Sequence, residues 1–170
     1  AYTALWIVNP AGFTIHSAVY AARPDAGCVV HLHTLDGMAV SAVEPGLLAL
    51  NQVAMLSSGG VAYHAYEGVA LDLDERVRIQ EHLGDRNLML MRHHGTLAVG
   101  DTVATAWVRI YHLERACSAQ VRTLSMGLPL ALLDEGARRA TEAMGGDDLY
   151  GGIAWPAMRR RLDRLDPGYR

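Results

Sequence analysis

The sequence predicts an α/β domain, and two observations support this fold class. Short apolar, β-branched segments alternate with segments whose apolar residues recur every three or four positions, which is the pattern of strands alternating with helices. The chain of 170 residues has the size of one domain that can bury a substantial core. Because 51% of the residues are apolar and 19% are charged, the composition is that of a folded protein rather than a disordered one.

Four apolar segments are predicted to be strands: Cys28–His33, Val61–Tyr66, Asn87–Arg92 and Thr96–Val99. The last two segments flank a tight turn at His94 and Gly95, which indicates that they are neighbouring strands. The chain also begins in an apolar, strand-like segment, Ala1–Pro10, and its first residue is not an initiator Met. We therefore expect further residues upstream of Ala1.

Helices are predicted where capping residues and turn residues bracket apolar periodicity. The first, Ala11–Ala22, ends at a proline turn, because the residue before proline disfavours helical geometry. Thr34–Ala42 is predicted to be a second short helix, whereas Leu47–Ser58 fits either a strand or a helix. Asp74 is expected to cap a further helix that ends at Gly84.

The longest helix is predicted to begin after a cap at Asp101 and to end at Gly127. Beyond it, two weaker helical patterns flank a break at Gly145 and Gly146. We therefore expect a core over residues 1–127 and a helical C-terminal extension over 128–170 that packs on the core or on a neighbouring subunit. The apolar stripe of the longest helix consists of Val103, Trp107, Ile110, Leu113, Cys117, Val121 and Leu124.

Charge and composition exclude several classes of function. All fifteen basic residues are arginine, so this chain contains no lysine for Schiff-base chemistry or for a phosphate-binding loop. The net charge of −3 gives no electrostatic reason to expect nucleic acid or an anionic membrane as a partner. Cys28 and Cys117 lie far apart in apolar stretches, which is typical of reduced, packed thiols in a cytoplasmic protein.

Two histidine pairs stand out among the eight histidines. His31 and His33 are two residues apart on a predicted strand, so their imidazoles face the same side of the sheet. His93 and His94 lie where another predicted strand turns. Two histidines from one strand and one from the other would give a divalent ion three nitrogen ligands and an open fourth position, as in catalytic zinc sites. The same pattern also fits hydrogen-bonded core histidines and an exposed turn.

The choice of metal follows from the ligand types. The predicted ligand set contains no thiolate, so ligand softness does not select zinc alone. Zinc is the ion that we expect first, and Fe(II), Mn(II) and Co(II) fit the same ligands.

Several long motifs cover most of residues 5–125. They are NPAGFTIHSAVYAARPDAGCVVHLHT (Asn9–Thr34), GGVAYHAYEG (Gly59–Gly68), LMRHHGTLAVG (Leu90–Gly100) and YHLERACSAQVRTL (Tyr111–Leu124). In these motifs the chain resembles the class II aldolase/adducin family, and it is more similar to the bacterial adducin head-like branch than to the sugar-phosphate aldolases. The resemblance implies a three-layer αβα sandwich around a largely antiparallel central sheet, in a homotetramer with active sites between subunits.

The resemblance also assigns the metal ligands. It places them on His31, His33 and His94, because His94 directly precedes the glycine of its motif. His93 occupies a position that the family fills variably.

Two positions depart from the sugar-phosphate aldolases of this family. Those enzymes carry an acid/base glutamate a few residues before the counterpart of His16, and here that position is Gly12. Their tyrosine proton donor, which comes from a neighbouring subunit, falls approximately on Val53. Because enediolate aldol chemistry needs both groups to handle protons, typical retro-aldol cleavage of a ketose phosphate is not the expected reaction.

Other residues are candidates for the missing proton chemistry. His16 keeps its family position one helical turn after Gly12, so it is expected to face the metal cavity as a proton shuttle or a substrate ligand. A structural hydrogen-bonding role is the alternative. His93 and Tyr66 are further candidates for substrate contacts.

The sequence thus predicts a metal-dependent lyase that acts on a small hydroxy- or oxo-acid by C–C cleavage, decarboxylation or dehydration. A non-haem iron oxygenase or decarboxylase on the same three histidines is one alternative. A non-catalytic, adducin-like assembly domain is the other. The expected partners are a small-molecule substrate and further copies of the chain, without nucleic acid or membrane.

Overall fold

A computed structural model describes residues 9–58, 60–144 and 147–169. The predicted strand at the start of the chain falls almost wholly outside the described residues, as does the predicted break at residues 145–146. The elements are α1 (Pro10–Ala22), β1 (Cys28–Leu32), α2 (Leu35–Ser41), α3 (Gln52–Ser58), β2 (Val61–His64), α4 (Glu75–Leu83), β3 (Leu88–Met91), β4 (Gly95–Gly100), α5 (Val103–Ser125), α6 (Glu135–Glu142), α7 (Asp147–Leu165) and a final 3-10 turn (Pro167–Tyr169).

The four strands form one mixed sheet in the order β1-β4-β3-β2. β4 pairs antiparallel with both β1 and β3, and β3 pairs parallel with β2. The prediction of a central sheet between helices is confirmed, and the sheet is mixed because one of its three pairings is parallel. The parallel pairing follows from α4, which connects β2 to β3 as a crossover helix.

Helices cover both faces of the sheet. Because side chains alternate along each strand, the strands contribute residues to the core on both faces. In β3, Met89 and Met91 contribute to the core cluster that contains α1 and α4. The intervening Leu90 contributes to the second cluster, which contains residues of α2, α3 and α5. Since all four residues of β3 are buried, this central strand is apolar throughout rather than alternating.

The ambiguous segment 47–58 divides into a non-helical stretch and α3. The side chain of Asn51 accepts a hydrogen bond from the backbone N–H of Ala54 at 3.0 Å and so starts the helix at Gln52. At α4, Asp74 holds the predicted N-cap position, but its side chain makes no capping bond. Gly84 ends α4, as predicted.

The longest helix differs from its prediction in two details. Its N-cap is Thr102, whose side chain accepts from the backbone N–H of Thr105, rather than Asp101. The predicted apolar stripe is buried only in its middle, because Val103 and Leu124 at its ends are 54% and 47% exposed. Small residues and one amide complete the buried face instead: Ala106, Ala116 and Gln120.

The last helices lie against the earlier ones. The ring of Trp155 in α7 lies 5.8 Å from that of Trp107 in α5, and α6 lies against α3. The division of the chain at residue 127 remains a prediction. Within the described residues, no helix is both long enough and apolar enough to cross a membrane.

Both cysteines are free thiols, as predicted. Cys117 is buried, whereas Cys28 is only partly covered. Burial, together with the negative charges of Glu114 and Asp36, raises the pKa of the Cys117 thiol to about 12.

Candidate metal centre

Three histidines of the two predicted pairs converge at one end of the sheet: His31, His33 and His94. His31 lies near the end of β1, His33 directly follows that strand, and His94 lies in the turn before β4. The Nε2 atoms of His31 and His33 are 2.8 Å apart, and those of His31 and His94 are 3.4 Å apart. The antiparallel pairing of Leu32 with Thr96 brings the two strand ends together, so residues distant in sequence meet at one point.

The backbone fixes the orientation of the central imidazole. The Nδ1 atom of His31 lies 2.8 Å from the carbonyl oxygen of Thr96. Because a carbonyl can only accept, Nδ1 carries the proton, and the neutral ring presents the lone pair of Nε2 toward the other two histidines. This is the tautomer that a metal ligand requires when its other nitrogen is held by a hydrogen bond.

Burial keeps two of the three imidazoles neutral. The pKa of His31 is lowered to about 4, mainly by burial, and the neighbouring histidines contribute to the decrease. Burial also lowers the pKa of His94, and the nearby His33 adds to that effect. A metal binds the neutral imidazole, so both rings have their lone pairs available at pH 7.

The donor set fits a divalent transition metal. Its three ligand nitrogens all lie within 4.8 Å of one another. Tetrahedral ligands at about 2.0–2.1 Å from a zinc ion are about 3.4 Å apart, which is close to the spacing of the triad. In the part of the chain that the structure describes, this is the one group of three or more such side chains with that geometry.

His16 lies on α1 beside the triad and is half-buried. Burial lowers the pKa of its imidazole, and the ring is close enough to His31 to act on it electrostatically. The same face of α1 lines a groove of about 420 Å³ with mostly apolar walls. The groove is lined by Asn9, Gly12, Phe13, His16, Ser17 and Tyr20.

Gly12 leaves space for a side chain at the position that the resemblance aligns with the glutamate of the sugar-phosphate aldolases. A Cβ at this position would meet only atoms of the Asn9 side chain, at 3.8 and 3.9 Å, which is ordinary contact. The first turn of α1 contains no acidic residue. The lack of a carboxylate here is therefore a chemical difference and not the result of crowding.

Gly12→Glu is expected to raise the free energy of unfolding by about 0.5–1 kcal/mol, because glutamate is the better helix former and is favourable in a first turn. The new carboxylate, one turn before His16, is expected to raise the pKa of that imidazole. Equilibrium denaturation and an NMR titration measure the two effects. Gly12→Gln is the control that gains helix propensity without charge. A less stable Gly12→Glu protein would contradict the expectation of free space.

The predicted substrate contacts lie together at the surface. The rings of Tyr66 and His93 are 6.3 Å apart in an edge-on arrangement, and both residues are exposed. His93 has a positive φ of 56°, which is unusual for a residue other than glycine. This conformation closes the turn that places His94 in the triad, where the backbone N–H of His94 donates to the Met91 carbonyl at 3.0 Å.

Val53 packs against the interior of this chain. It is partly buried and packs against the core cluster between the sheet and α5. The residue that the resemblance aligns approximately with the tyrosine of the sugar-phosphate aldolases is therefore a partly buried valine on α3.

A second histidine cluster was not emphasised by the sequence patterns. His64, 1% exposed at the end of β2, has its Nε2 atom 3.1 Å from a carboxylate oxygen of Glu75, which is 4% exposed. Its Nδ1 atom is 2.8 Å from Nδ1 of His82, which lies in the last turn of α4. No spacing rule links residues of β2 and α4, so only their packing reveals the pair.

The fold and the site together place this chain among α/β proteins that have an αβα sandwich and a candidate metal centre at one end of the sheet. Residues 5–121 match the family described as Class II Aldolase and Adducin N-terminal domain. Since this match covers more than half of the chain, the protein belongs to that family.

Three similar proteins illustrate the range of the family. A Caulobacter vibrioides protein, provisionally named an aldolase class 2 protein, is 49% identical over 96% of this chain and 65% of its own length. Mouse alpha-adducin is 46% identical over 96% of this chain and 24% of its own length. The structure of L-fuculose 1-phosphate aldolase from Glaciozyma antarctica superposes with a TM-score of 0.79 at 27% identity, over 96% of this chain and 63% of that one. The chain thus spans less than two thirds of each of these relatives.

Proposed function

We propose that this protein is a divalent-metal-dependent enzyme of the lyase type that acts on a small hydroxy- or oxo-acid. The observation that carries the proposal is the convergence of His31, His33 and His94, with His31 held in the metal-binding tautomer. Membership of a family that includes aldolases supports a lyase reaction. A bound divalent ion, zinc first among the candidates, would supply Lewis-acid polarisation of a substrate oxygen.

The surrounding residues supply binding and proton handling. His16, half-buried and beside the triad, is proposed to hold or move a proton at an imidazole nitrogen, because its lowered pKa keeps it neutral at pH 7. His93 and Tyr66 are proposed to contact the substrate at the exposed rim. With glycine at position 12 and a core valine at position 53, a ketose phosphate is not the proposed substrate.

We also propose a homotetramer in the cytoplasm. Several apolar side chains between β2 and α4 are exposed, among them Val69 at 69% and Leu71 at 60%. A second copy of the chain would remove such a patch from water, which supports self-association.

Two other functions are supported by specific observations. The neutral three-histidine set, without a carboxylate, also suits an Fe(II) oxygenase or decarboxylase. The 46% identity to alpha-adducin, with Gly12 at the acid/base position, favours an assembly domain without catalysis.

Metal analysis of the purified protein tests the proposal. The wild-type chain is expected to bind about one divalent ion, because three histidines complete one site. His31→Ala and His94→Ala are expected to lose that ion without unfolding, since both remove a ligand. His112→Ala, which removes a histidine from α5 outside the triad, is the matched control and is expected to keep the ion.

A screen of 2-hydroxy and 2-oxo acids, with and without oxygen, completes the experiment. Metal-dependent turnover without oxygen uptake is the expected result. Bound iron with oxygen consumption would establish the oxygenase instead. A wild-type protein that binds no divalent ion would overturn both enzyme functions and leave the assembly domain.

A further inference from the structure

Glu114 on α5 forms hydrogen bonds with residues next to both segments that carry the triad. One carboxylate oxygen accepts a hydrogen bond from the hydroxyl of Thr34, and the other accepts from the hydroxyl of Thr96. Thr34 directly follows His33 in the chain, whereas Thr96 is the second residue of β4. The carboxylate thus joins two segments that are distant in sequence.

Each threonine leads directly to a histidine of the triad. The carbonyl of Thr96 accepts the hydrogen bond from His31 that sets the tautomer of that ring. Thr34 is the N-cap of α2, and its hydroxyl also accepts from the backbone N–H of Gly37 at 3.1 Å. Fixing both threonines therefore fixes the strand end that carries His31 and His33 relative to β4.

The packing around the carboxylate depends on a glycine. A Cβ at Gly37 would lie 2.7 Å from the Thr34 hydroxyl and 3.1 Å from an oxygen of Glu114. Because real Cβ contacts are rarely this close, any side chain at this position would displace the bridge. The sequence thus leaves room for the carboxylate to approach both hydroxyls.

We propose that Glu114 is a positioning residue for the metal centre. It holds the segment with His31 and His33 against β4 through the hydroxyls of Thr34 and Thr96. The inference rests on the proposed function, because it requires the triad to bind a metal. Glu114 contacts neither the ligand nitrogens nor a substrate in this assignment. Its effect is on the affinity and geometry of the site.

The test is a metal titration with Zn²⁺ against a chromogenic chelator, together with the absorption spectrum of the Co²⁺ form. Glu114→Ala is expected to weaken Zn²⁺ binding about 10–100-fold, which is the usual effect of removing an outer partner of a ligand. Glu114→Gln is expected to recover part of the affinity, because an amide can accept from one hydroxyl and donate to the other. Thr96→Val is expected to weaken binding, since it keeps side-chain shape and the carbonyl that holds His31 but removes the link to Glu114.

Ser118→Ala is the matched control. Ser118 donates to Asp36 at 2.5 Å and so joins α5 to α2, one turn further along α5 than Glu114. This variant is expected to keep Zn²⁺ affinity within about twofold, because its bridge holds no segment of the triad. Equal losses in Ser118→Ala and Glu114→Ala would reduce Glu114 to a general helix contact and overturn the inference.

The outcomes also separate this inference from the proposed function. A wild-type chain without Zn²⁺ affinity would refute the metal centre itself. Wild-type affinity in folded Glu114→Ala, Glu114→Gln and Thr96→Val would refute the role of Glu114 alone.

Discussion

Replacing His64 with leucine is expected to lower the free energy of unfolding by about 3–5 kcal/mol, because it leaves the buried carboxylate of Glu75 without its imidazole partner. The two side chains are 1% and 5% exposed, and water cannot replace the lost contact without opening the interface between β2 and α4. Equilibrium denaturation with urea, followed by circular dichroism, measures the loss.

The double variant His64→Leu and Glu75→Leu is the decisive comparison. It is expected to be more stable than the single His64→Leu variant, because the carboxylate that lost its partner is then also removed and apolar side chains fill the space. Glu67→Gln is the control for an exposed pair, since Glu67 and Arg78 retain side-chain exposures of 28% and 41%. That variant is expected to lose no more than about 1 kcal/mol. A loss of similar size in His64→Leu would mean that burial of the pair carries no special cost.

Gly95→Ala is expected to lower the free energy of unfolding by about 1–3 kcal/mol and to weaken metal binding. A Cβ at this position would lie 2.2 Å from the carbonyl oxygen of Leu32 and 3.3 Å from the ring of His33. Since the near atom belongs to the backbone, β1 would have to move away from β4. That movement separates the strand end that carries His31 and His33 from the turn that carries His94.

Gly152→Ala provides a matched comparison, because a Cβ there meets nothing within 4 Å. It is expected to be at least as stable as the wild type, since alanine is the better helix former. Urea denaturation and the Zn²⁺ titration apply to both variants. Unchanged stability and affinity in Gly95→Ala would show that the approach of the two strands at Leu32 is not required.

Local patterns predicted most helices and strands to within a few residues. The strand Cys28–His33 became β1 over Cys28–Leu32, and the helix Ala11–Ala22 became α1 over Pro10–Ala22. These elements follow from β-branched runs and capping residues, which act within a few positions of the chain. The parallel pairing of β2 with β3 and the choice of Thr102 as a cap are harder to predict, because they depend on long-range packing and on which of two neighbouring polar residues takes the cap.

The residues of the candidate site also divide into those that sequence patterns predicted and those that depend on long-range packing. The alternation of side chains along a strand predicted that His31 and His33 share a face, and family motifs added His94. The contacts of Glu114 and the pair formed by His64 and Glu75 join elements far apart in the chain, and no periodicity in the sequence links them.

The sequence by itself determined that this chain has no lysine for imine chemistry, that it carries an H-x-H pair in an apolar, β-branched segment, and that position 12 is glycine. These are properties of composition and local spacing, so they hold without knowledge of the fold. The tertiary structure decided that His94 reaches the pair, that the Thr96 carbonyl sets the tautomer of His31, and that Glu114 ties the two segments together. Each of these contacts needs β1, β4 and α5 to pack against one another, and packing of distant segments is the information that local patterns lack.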